Sequence, residues 1–332
     1  LVRCKGVYSL PGSMMPSIAF VEGLGDFPQA SARPHPSVKG KRGDGPEAIV
    51  VPQTLASMYD FKLSDLVKTS VIQMPGECDA FIPDGGSFLP SDLKTFLKAV
   101  QLPDQKVAHV NGSGTIGTPG IEGSLDIQYI TSSGLGATSW YYTTKGWVYS
   151  LTTEINSWEV VPHTVSMSFG GPESGQCTTA SSICHENKWT NKGYIDAVNV
   201  EFMKLGLRGM SVFVSSGDGG AGATHNGFPD DTLTPAFPAS SPYITSVGGT
   251  QFERVSKWLD PSVAPTVCKS SNKCAEIGQE MATSDFLSGG GFSDFVPQPA
   301  YQASAVAGYL KSGVKMPAKG CFNSKGRGYP DV

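Results

Sequence analysis

Two acidic residues, Glu122 and Asp126, stand four positions apart in a segment whose apolar spacing predicts a helix over residues 121–130. Side chains four apart lie on one face of a helix, so the two carboxyl groups can come within hydrogen-bond reach of each other. Carboxylates that close share a proton, and the pKa of one then rises into the range where it serves as a general base. An ordinary exposed acidic face has the same spacing, so the spacing alone leaves both interpretations open.

A third acidic residue, Asp218, follows a predicted apolar strand over residues 211–215 and lies in the glycine-rich turn 216–220. A carboxyl at a strand end lies near backbone N–H groups and is partly desolvated, which suits a polar residue of a binding or catalytic site. Aspartate in such a turn also serves purely local hydrogen bonding. Both roles stay open at this stage.

The sequence lacks the motifs of several other enzyme classes. It contains no G-x-S-x-G elbow, no H-E-x-x-H helix and no P-loop, which argues against hydrolases of those classes. Its histidines show no metal-ligand spacing, so we interpret them as scattered surface or structural residues. They are His35, His109, His163, His185 and His225.

The segments around these acids alternate between helical and extended patterns. The helix with the two neighbouring acids has Ile121, Leu125 and Tyr129 at successive i+4 positions. Further helices are predicted over residues 54–59, 92–100 and 194–208, and strands over residues 163–169, 211–215 and 243–247. Ser91 is predicted to be the N-cap of the second of these helices and Gly209 to end the third. This order indicates a parallel α/β sheet, in which ligands bind at the carboxyl ends of the strands.

The chain has 332 residues, enough for one large domain and a smaller segment. Its formal net charge of -4 provides no basic surface for nucleic acid or an anionic membrane, and no apolar run approaches the roughly 20 residues that span a bilayer. Residues 25–47 are rich in Pro, Gly, Ser and basic residues, which predicts an exposed linker. We therefore divide the chain into residues 1–45 and a main domain over residues 46–332.

The cysteines indicate an oxidising compartment. Two close pairs in polar stretches, Cys177 with Cys184 and Cys268 with Cys274, are predicted to form local disulfides. The remaining odd number of cysteines indicates a free thiol or a disulfide partner outside the chain; these are Cys4, Cys78 and Cys321. One glycosylation sequon begins at Asn111. Together these features favour a secretory or lysosomal protein, although a fully reduced state stays open.

Six segments carry a resemblance to a known family. They are EGSLD (122–126), VSMSFGGP (165–172), SSGDGGAG (215–222), FPASSPYITSVGGT (237–250), SGGGFS (288–293) and GYPDV (328–332). In this order, the set resembles the sedolisin (serine-carboxyl peptidase) family, most closely its tripeptidyl-peptidase branch. The resemblance implies a subtilisin-like parallel sheet flanked by helices, incomplete at the C-terminus of this chain.

The resemblance also implies roles for the acids. Glu122 would be the general base, Asp126 would orient it, and Asp218 would complete the oxyanion hole. The substrate-binding strand would contain Ser168, Phe169, Gly170 and Gly171. Because a carboxyl donates a hydrogen bond to an oxyanion only when it is protonated, activity would be confined to acidic pH.

Other parts of the family pattern fall outside the main domain of this chain. The family's nucleophilic serine and its calcium site follow the Y-P-D-V motif, so we expect both beyond residue 332 and no cofactor within the chain. Residues 1–45 would be the end of a propeptide and its activation linker. The expected partners are peptide substrates and either the remaining C-terminal polypeptide or a partner chain that completes the fold.

We therefore expect an acid-acting, tripeptidyl-peptidase-like serine-carboxyl peptidase in proenzyme form. It would work in the lysosome, in another acidic secretory compartment or outside the cell. The alternative is a catalytically inactive binding or structural subunit that keeps the fold without the nucleophile. Exopeptidase and endopeptidase specificity are equally compatible with the sequence.

Overall fold

The computed structural model describes residues 48–78, 86–112, 120–222, 233–269, 273–283, 287–318 and 320–332. The predicted linker and the segment before it therefore lie outside the described residues. Within the described ranges, no helix combines the length and apolar character needed to cross a bilayer.

The strands follow one another along the chain as β1 (Ile72–Cys78), β2 (Val107–Gly112), β3 (Thr138–Thr144), β4 (Thr164–Met167), β5 (Gly171–Pro172), β6 (Ser211–Ser215), β7 (Ala236–Phe237), β8 (Thr245–Val247), β9 (Thr250–Trp258), β10 (Ala275–Ala282), β11 (Gly291–Pro297) and β12 (Gly326–Tyr329). Six of them form a parallel sheet in the order β2-β3-β1-β4-β6-β8. This sheet confirms the predicted α/β class with a parallel sheet. The predicted strand over residues 211–215 is confirmed, whereas β4 and β8 are shorter than the strands predicted there.

The helices are α1 (Pro52–Met58), α2 (Pro90–Ala99), α3 (Ile121–Ser133), α4 (Val148–Asn156), α5 (Gln176–Thr179), α6 (Ser181–Asn187), α7 (Asn191–Leu207), α8 (Thr266–Lys269) and α9 (Ala303–Lys311). Four of them, α1, α2, α3 and α7, confirm predicted helices. Helix α7 begins three residues before its predicted start, because the Thr190 hydroxyl accepts a hydrogen bond from the Gly193 N–H (3.2 Å) and caps it there. It ends as predicted before Gly209, whose φ is +83°.

Both faces of the parallel sheet are covered by apolar side chains. On β3, Tyr141 packs in a cluster with residues of α2 and α3, while the next residue, Tyr142, packs in a second cluster with residues of α4 and α7. Successive residues of a strand point to opposite faces, so helices pack on both sides of the sheet. The interior of the sheet is therefore rigid, and the end where the strands stop is the part open to chemistry.

Helix α3 exists as predicted, but the residues that predicted it do not face the core. Ile121 is 90 % exposed and Leu125 is 48 % exposed, whereas Gly123 and Ile127 are buried. A Cβ on Gly123 would lie 2.2 Å from the Tyr141 hydroxyl oxygen, so the missing side chain allows the helix to lie close to the sheet. The glycine therefore decides which face of α3 is buried.

The predicted N-cap of α2 is wrong. The helix begins at Pro90, and Leu89 occupies the N-cap position, so Ser91 lies inside the first turn. Proline suits the first helical position because its φ is already helical and its missing N–H would have no partner there.

The two predicted disulfides are present. Cys177–Cys184 joins α5 to α6, and Cys268–Cys274 closes the connection between β9 and β10, which form an antiparallel hairpin. Two further cysteines, Cys78 and Cys321, are buried.

Both ends of the described part are anchored to distant elements. The Thr54 hydroxyl donates a hydrogen bond to the Ala275 carbonyl oxygen (2.6 Å), across 221 positions, and the Tyr129 hydroxyl donates to the Val50 carbonyl oxygen (2.7 Å). At the other end, the Asp331 N–H donates to the Ser246 carbonyl oxygen (2.8 Å). Residues 331–332 thus lie along β8, at the edge of the parallel sheet.

Candidate active site

The candidate site lies where the strands of the parallel sheet end and α3 begins. Glu122 is in the first turn of α3 and Asp126 is one turn further on. Ser168 follows β4 directly, and Asp218 follows β6 by three residues. The predicted acids thus come from two different elements, which the parallel sheet brings to one end of the molecule.

Glu122 is the group whose ionisation is most altered by this arrangement. The pKa of its carboxyl is raised to about 7, most of all by burial and then by the charges of Asp126 and Asp218. The Ser168 hydroxyl opposes the rise by hydrogen bonding to the charged form. Asp126 and Asp218 thus both lie close enough to Glu122 for their charges to influence its ionisation.

Asp126 lies one turn further along α3 than Glu122. It is half-buried, and its Oδ2 atom is buried without a hydrogen-bond partner among the described residues. A buried acceptor without a donor is costly, so such an atom points to a proton-bearing partner in the working state of a site. A protonated neighbouring carboxyl would satisfy it.

Asp218 lies in a turn that requires glycine. Gly217 and Gly220 have φ values of +99° and +62°, in the left-handed region that side chains disfavour. The segment after β10 packs directly on this turn: the Gly289 N–H donates to the Gly217 carbonyl oxygen (2.6 Å). A Cβ on Gly289 would lie 1.9 Å from the Ser216 carbonyl oxygen, so only glycine fits there. Burial raises the pKa of the Asp218 carboxyl, although its outer side is open to solvent.

A cavity of about 300 Å³ opens between the ends of β4, β6 and β8. Its walls include Ser168 and Asp218, together with Gly248 and Gly249 after β8. The Ser216 hydroxyl in the same wall is buried without a partner among the described residues. The cavity wall thus combines small polar groups and glycines with apolar side chains such as Met167, and two of the predicted site residues, Ser168 and Asp218, border it.

The predicted substrate-binding segment, residues 168–171, continues from β4 away from the sheet. The Phe169 side chain is buried against Trp147, with 5.4 Å between ring centroids, so only its main chain can face a ligand. Gly171 pairs with Phe237 in the short antiparallel ladder of β5 and β7. The segment is therefore fixed at its far end, and Ser168 and Gly170 stay partly accessible.

The sequence analysis did not identify two buried glutamates near the strand ends. Glu77 is 1 % exposed at the carboxyl end of β1, and Glu173 is 1 % exposed just after β5. Each stands in a short segment without the spacing of a helix or an alternating strand. An acidic residue inside an otherwise apolar strand, as at Glu77, is the one sequence signal that could have indicated such a position.

Comparison with curated proteins finds relatives along the whole chain. Physarolisin of Physarum polycephalum is 33 % identical over 344 residues, which cover 100 % of this chain and 57 % of the relative. Tripeptidyl-peptidase 1 of Canis lupus familiaris and of Homo sapiens are each 32 % identical over 348 residues, covering 100 % of this chain and 54 % of the relative. The chain thus spans about half the length of the curated relatives it matches.

Among solved structures, Pseudomonas sedolisin, a serine-carboxyl proteinase complexed with two molecules of pseudo-iodotyrostatin, covers 88 % of this chain and 70 % of its own. The TM-score of this match is 0.49, at 19 % sequence identity. No protein-family model matches the chain.

Proposed function

Because the chain belongs to the sedolisin family of serine-carboxyl peptidases, we propose that the protein hydrolyses peptide bonds in acid through a Ser-Glu-Asp triad. The observation that carries this proposal is the raised pKa of Glu122 under the influence of Asp126 and Asp218, the last of which borders a cavity at the strand ends. Three interacting carboxyls at one site suit acid–base chemistry better than the binding of a neutral ligand.

Each carboxyl has a distinct role in this proposal. Ionised Glu122 accepts the proton of a serine hydroxyl while the serine oxygen attacks the peptide carbonyl carbon. Protonated Asp218 donates a hydrogen bond to the resulting oxyanion. Glu122 then delivers the proton to the departing amine, which leaves the acyl group on the serine as an ester. Water attacks this ester while Glu122 accepts its proton, and the proton returns to the serine oxygen as the acid product leaves. Asp126 holds Glu122 in position.

The protonation states of Glu122 and Asp218 support each other. The charge of Asp218 is one of the causes that raise the pKa of Glu122. Protonation of Asp218 removes that cause, so Glu122 ionises more readily in the state in which Asp218 can donate. The working arrangement needs ionised Glu122 and protonated Asp218 together, so activity should be lost when Asp218 ionises.

We propose that the nucleophilic serine lies beyond residue 332. The relatives are nearly twice as long as this chain, and residues 331–332 lie beside β8 at the site end of the sheet. We likewise propose that the calcium site implied by the family resemblance lies beyond residue 332.

We also propose a proenzyme, with residues 1–45 as the end of a propeptide and its activation linker. An acidic compartment such as the lysosome, or secretion, fits the two disulfides and the raised pKa values of Glu122 and Asp218. N-terminal sequencing of the protein after brief incubation in acid tests this. A new N-terminus between residues 25 and 47 is expected, and a protein that stays intact while hydrolysing peptides would contradict the proenzyme.

Peptide hydrolysis by the protein from its full reading frame tests the activity. Fluorogenic peptides with free and with blocked N-termini, assayed from pH 3 to 8, separate exopeptidase from endopeptidase action. Glu122→Gln should lower kcat about 10²- to 10⁴-fold, the usual contribution of a general base. The matched control, Glu186→Gln, changes an exposed glutamate on α6 and should keep wild-type kinetics.

Two results would contradict the proposal. Equal hydrolysis by wild type and Glu122→Gln would show that Glu122 is not the general base. A full-length protein that binds peptides but hydrolyses none between pH 3 and 8 would identify the inactive binding subunit instead.

A further inference from the structure

The triad gives no role to Glu173, the buried glutamate two residues after the substrate-binding segment 168–171. Its carboxylate is hydrogen-bonded by three groups from two other parts of the chain. One oxygen accepts hydrogen bonds from the Ser240 and Ser293 hydroxyls, and the other accepts from the Asp294 N–H (2.8 Å). These donors lie 67, 120 and 121 positions further along the chain.

The surroundings of Glu173 require an acceptor at both carboxylate oxygens. The Ser293 oxygen already accepts hydrogen bonds from the Phe295 N–H (3.2 Å) and the Val296 N–H (2.8 Å), so its own proton must be donated to Glu173. The Asp294 N–H, on the other side, can only donate. A glutamine amide or a protonated carboxyl has one donor and one acceptor in place of the two oxygens. In one orientation its donor would face the Asp294 N–H, and in the other it would face the serine hydroxyls, so two donors would meet in either case.

The main chain at Glu173 is fixed as firmly as its side chain. The Glu173 N–H donates to the Pro235 carbonyl oxygen (2.8 Å), next to the pairing of Gly171 with Phe237. The buried Gln176 amide nitrogen donates to the carbonyl oxygens of Gly171 and Pro172, both at 3.1 Å. The end of the substrate-binding segment is thus held by buried polar groups on several sides.

We infer that Glu173 is a positioning residue, whose buried acceptor-only carboxylate fixes segment 168–173 in the register that peptide binding requires. This inference rests on the proposed function for its consequence in catalysis. The part of the inference that concerns how segment 168–173 is held can be tested without measuring activity.

Three ionisable or charged groups near Glu173 decide how this support responds to pH. Asp294 on β11 raises the pKa of Glu173, and Glu173 in turn raises that of the buried Tyr329 on β12, which Arg327 lowers. Burial is the largest cause of the raised pKa of Glu173, and its three hydrogen bonds oppose it. Acidification through this pKa replaces an acceptor by a donor, so the segment should loosen at the acid limit of activity.

Hydrogen–deuterium exchange of segment 168–173 tests the inference directly in the full-length protein. In Glu173→Gln, these amides should exchange at least tenfold faster than in wild type, with unchanged exchange in α3. Ser240→Ala removes a single donor and should give a smaller acceleration of the same segment. This milder variant keeps the test available if Glu173→Gln fails to fold. Glu186→Gln is the matched control and should match wild type.

Steady-state kinetics separate positioning from a general loss of stability. Glu173→Gln should raise KM about tenfold or more with a smaller change in kcat, and its acid limb should move to higher pH or disappear. Unchanged exchange in segment 168–173, or equal acceleration in α3, would overturn the inference. If wild type hydrolyses no peptide, the proposed function fails, while the exchange result still decides whether Glu173 holds the segment.

Discussion

Replacing Glu122 by glutamine should make the protein more stable at neutral pH, although it removes the proposed general base. In the folded protein, the pKa of Glu122 is raised from 4.5 to about 7. The folded state therefore binds more protons than the unfolded state between these values, and stability falls as pH rises through them. Glutamine resembles the protonated carboxyl at every pH, so the variant escapes this loss.

The size of the effect follows from the same shift. At about 1.4 kcal/mol for each tenfold change in acid dissociation, the rise from 4.5 to about 7 sets an upper bound of about 3 kcal/mol. Because the carboxyl is only partly buried, solvent screens part of this energy, and we expect about 1–2 kcal/mol. For a domain of this size, that corresponds to a change in Tm of about 2–3 °C.

Thermal unfolding followed by circular dichroism at pH 4, 6 and 8 measures this effect. Wild type and Glu122→Gln should have similar Tm values at pH 4, and the variant should exceed wild type by the stated amount at pH 8. Glu186→Gln should follow wild type at all three values. Parallel curves for wild type and Glu122→Gln would refute the reasoning, because the Glu122 carboxyl would then ionise normally in the folded protein.

Three further predictions concern other parts of the structure. Asp218→Asn supplies an oxyanion donor that needs no proton, so the alkaline limb of the pH–kcat profile should move to higher pH; an unmoved limb would contradict the role of this acid. Gly289→Ala should lower the free energy of unfolding in urea by several kcal/mol, because its Cβ would overlap a backbone oxygen. Gly308→Ala, on the exposed side of α9, should instead raise it by about 0.5–1 kcal/mol. Replacing Cys177 and Cys184 by serine should cost about 2 kcal/mol, the value for a loop of this length, and an unchanged urea midpoint would show that the bridge does not contribute.

The elements that sequence analysis predicted are those with strong local signals. Strand β6 is an apolar run followed by a glycine-rich turn, and α7 ends before a glycine, so the strand and the end of the helix were predicted closely. The period of the helix predicted that Glu122 and Asp126 share a face, but it left open whether they belong to a site. Only the resemblance to the family gave these two acids and Asp218 their proposed roles.

One strand that the sequence did not reveal, β1, is buried on both faces. Strand β1 is buried along six of its seven residues, so it shows no alternation, and its Pro75 and Gly76 are typical of turns. In the sheet, Pro75 is opposite Ser166 of β4. Tertiary packing, which local sequence does not encode, therefore determines this strand.

Long-range contacts also explain the missed face of α3 and the missed role of Glu173. The buried face of α3 depends on the approach of Gly123 to Tyr141, a residue of another element. The donors to Glu173 come from 67 and 120 positions away. No window of neighbouring residues contains these partners, so only the folded chain brings them together.

The anchoring of the first described residues on the β10 strand has a consequence for how the protein is made. The hydrogen bond from Thr54 to Ala275 closes a loop of 221 positions, at an entropic cost of about 5 kcal/mol. At about 5–20 residues per second, a ribosome needs roughly 10–40 s to synthesise the second partner after the first. During that time α1 lacks the strand on which it rests. We therefore expect the beginning of this domain to acquire its final place late in synthesis, after much of the parallel sheet has emerged.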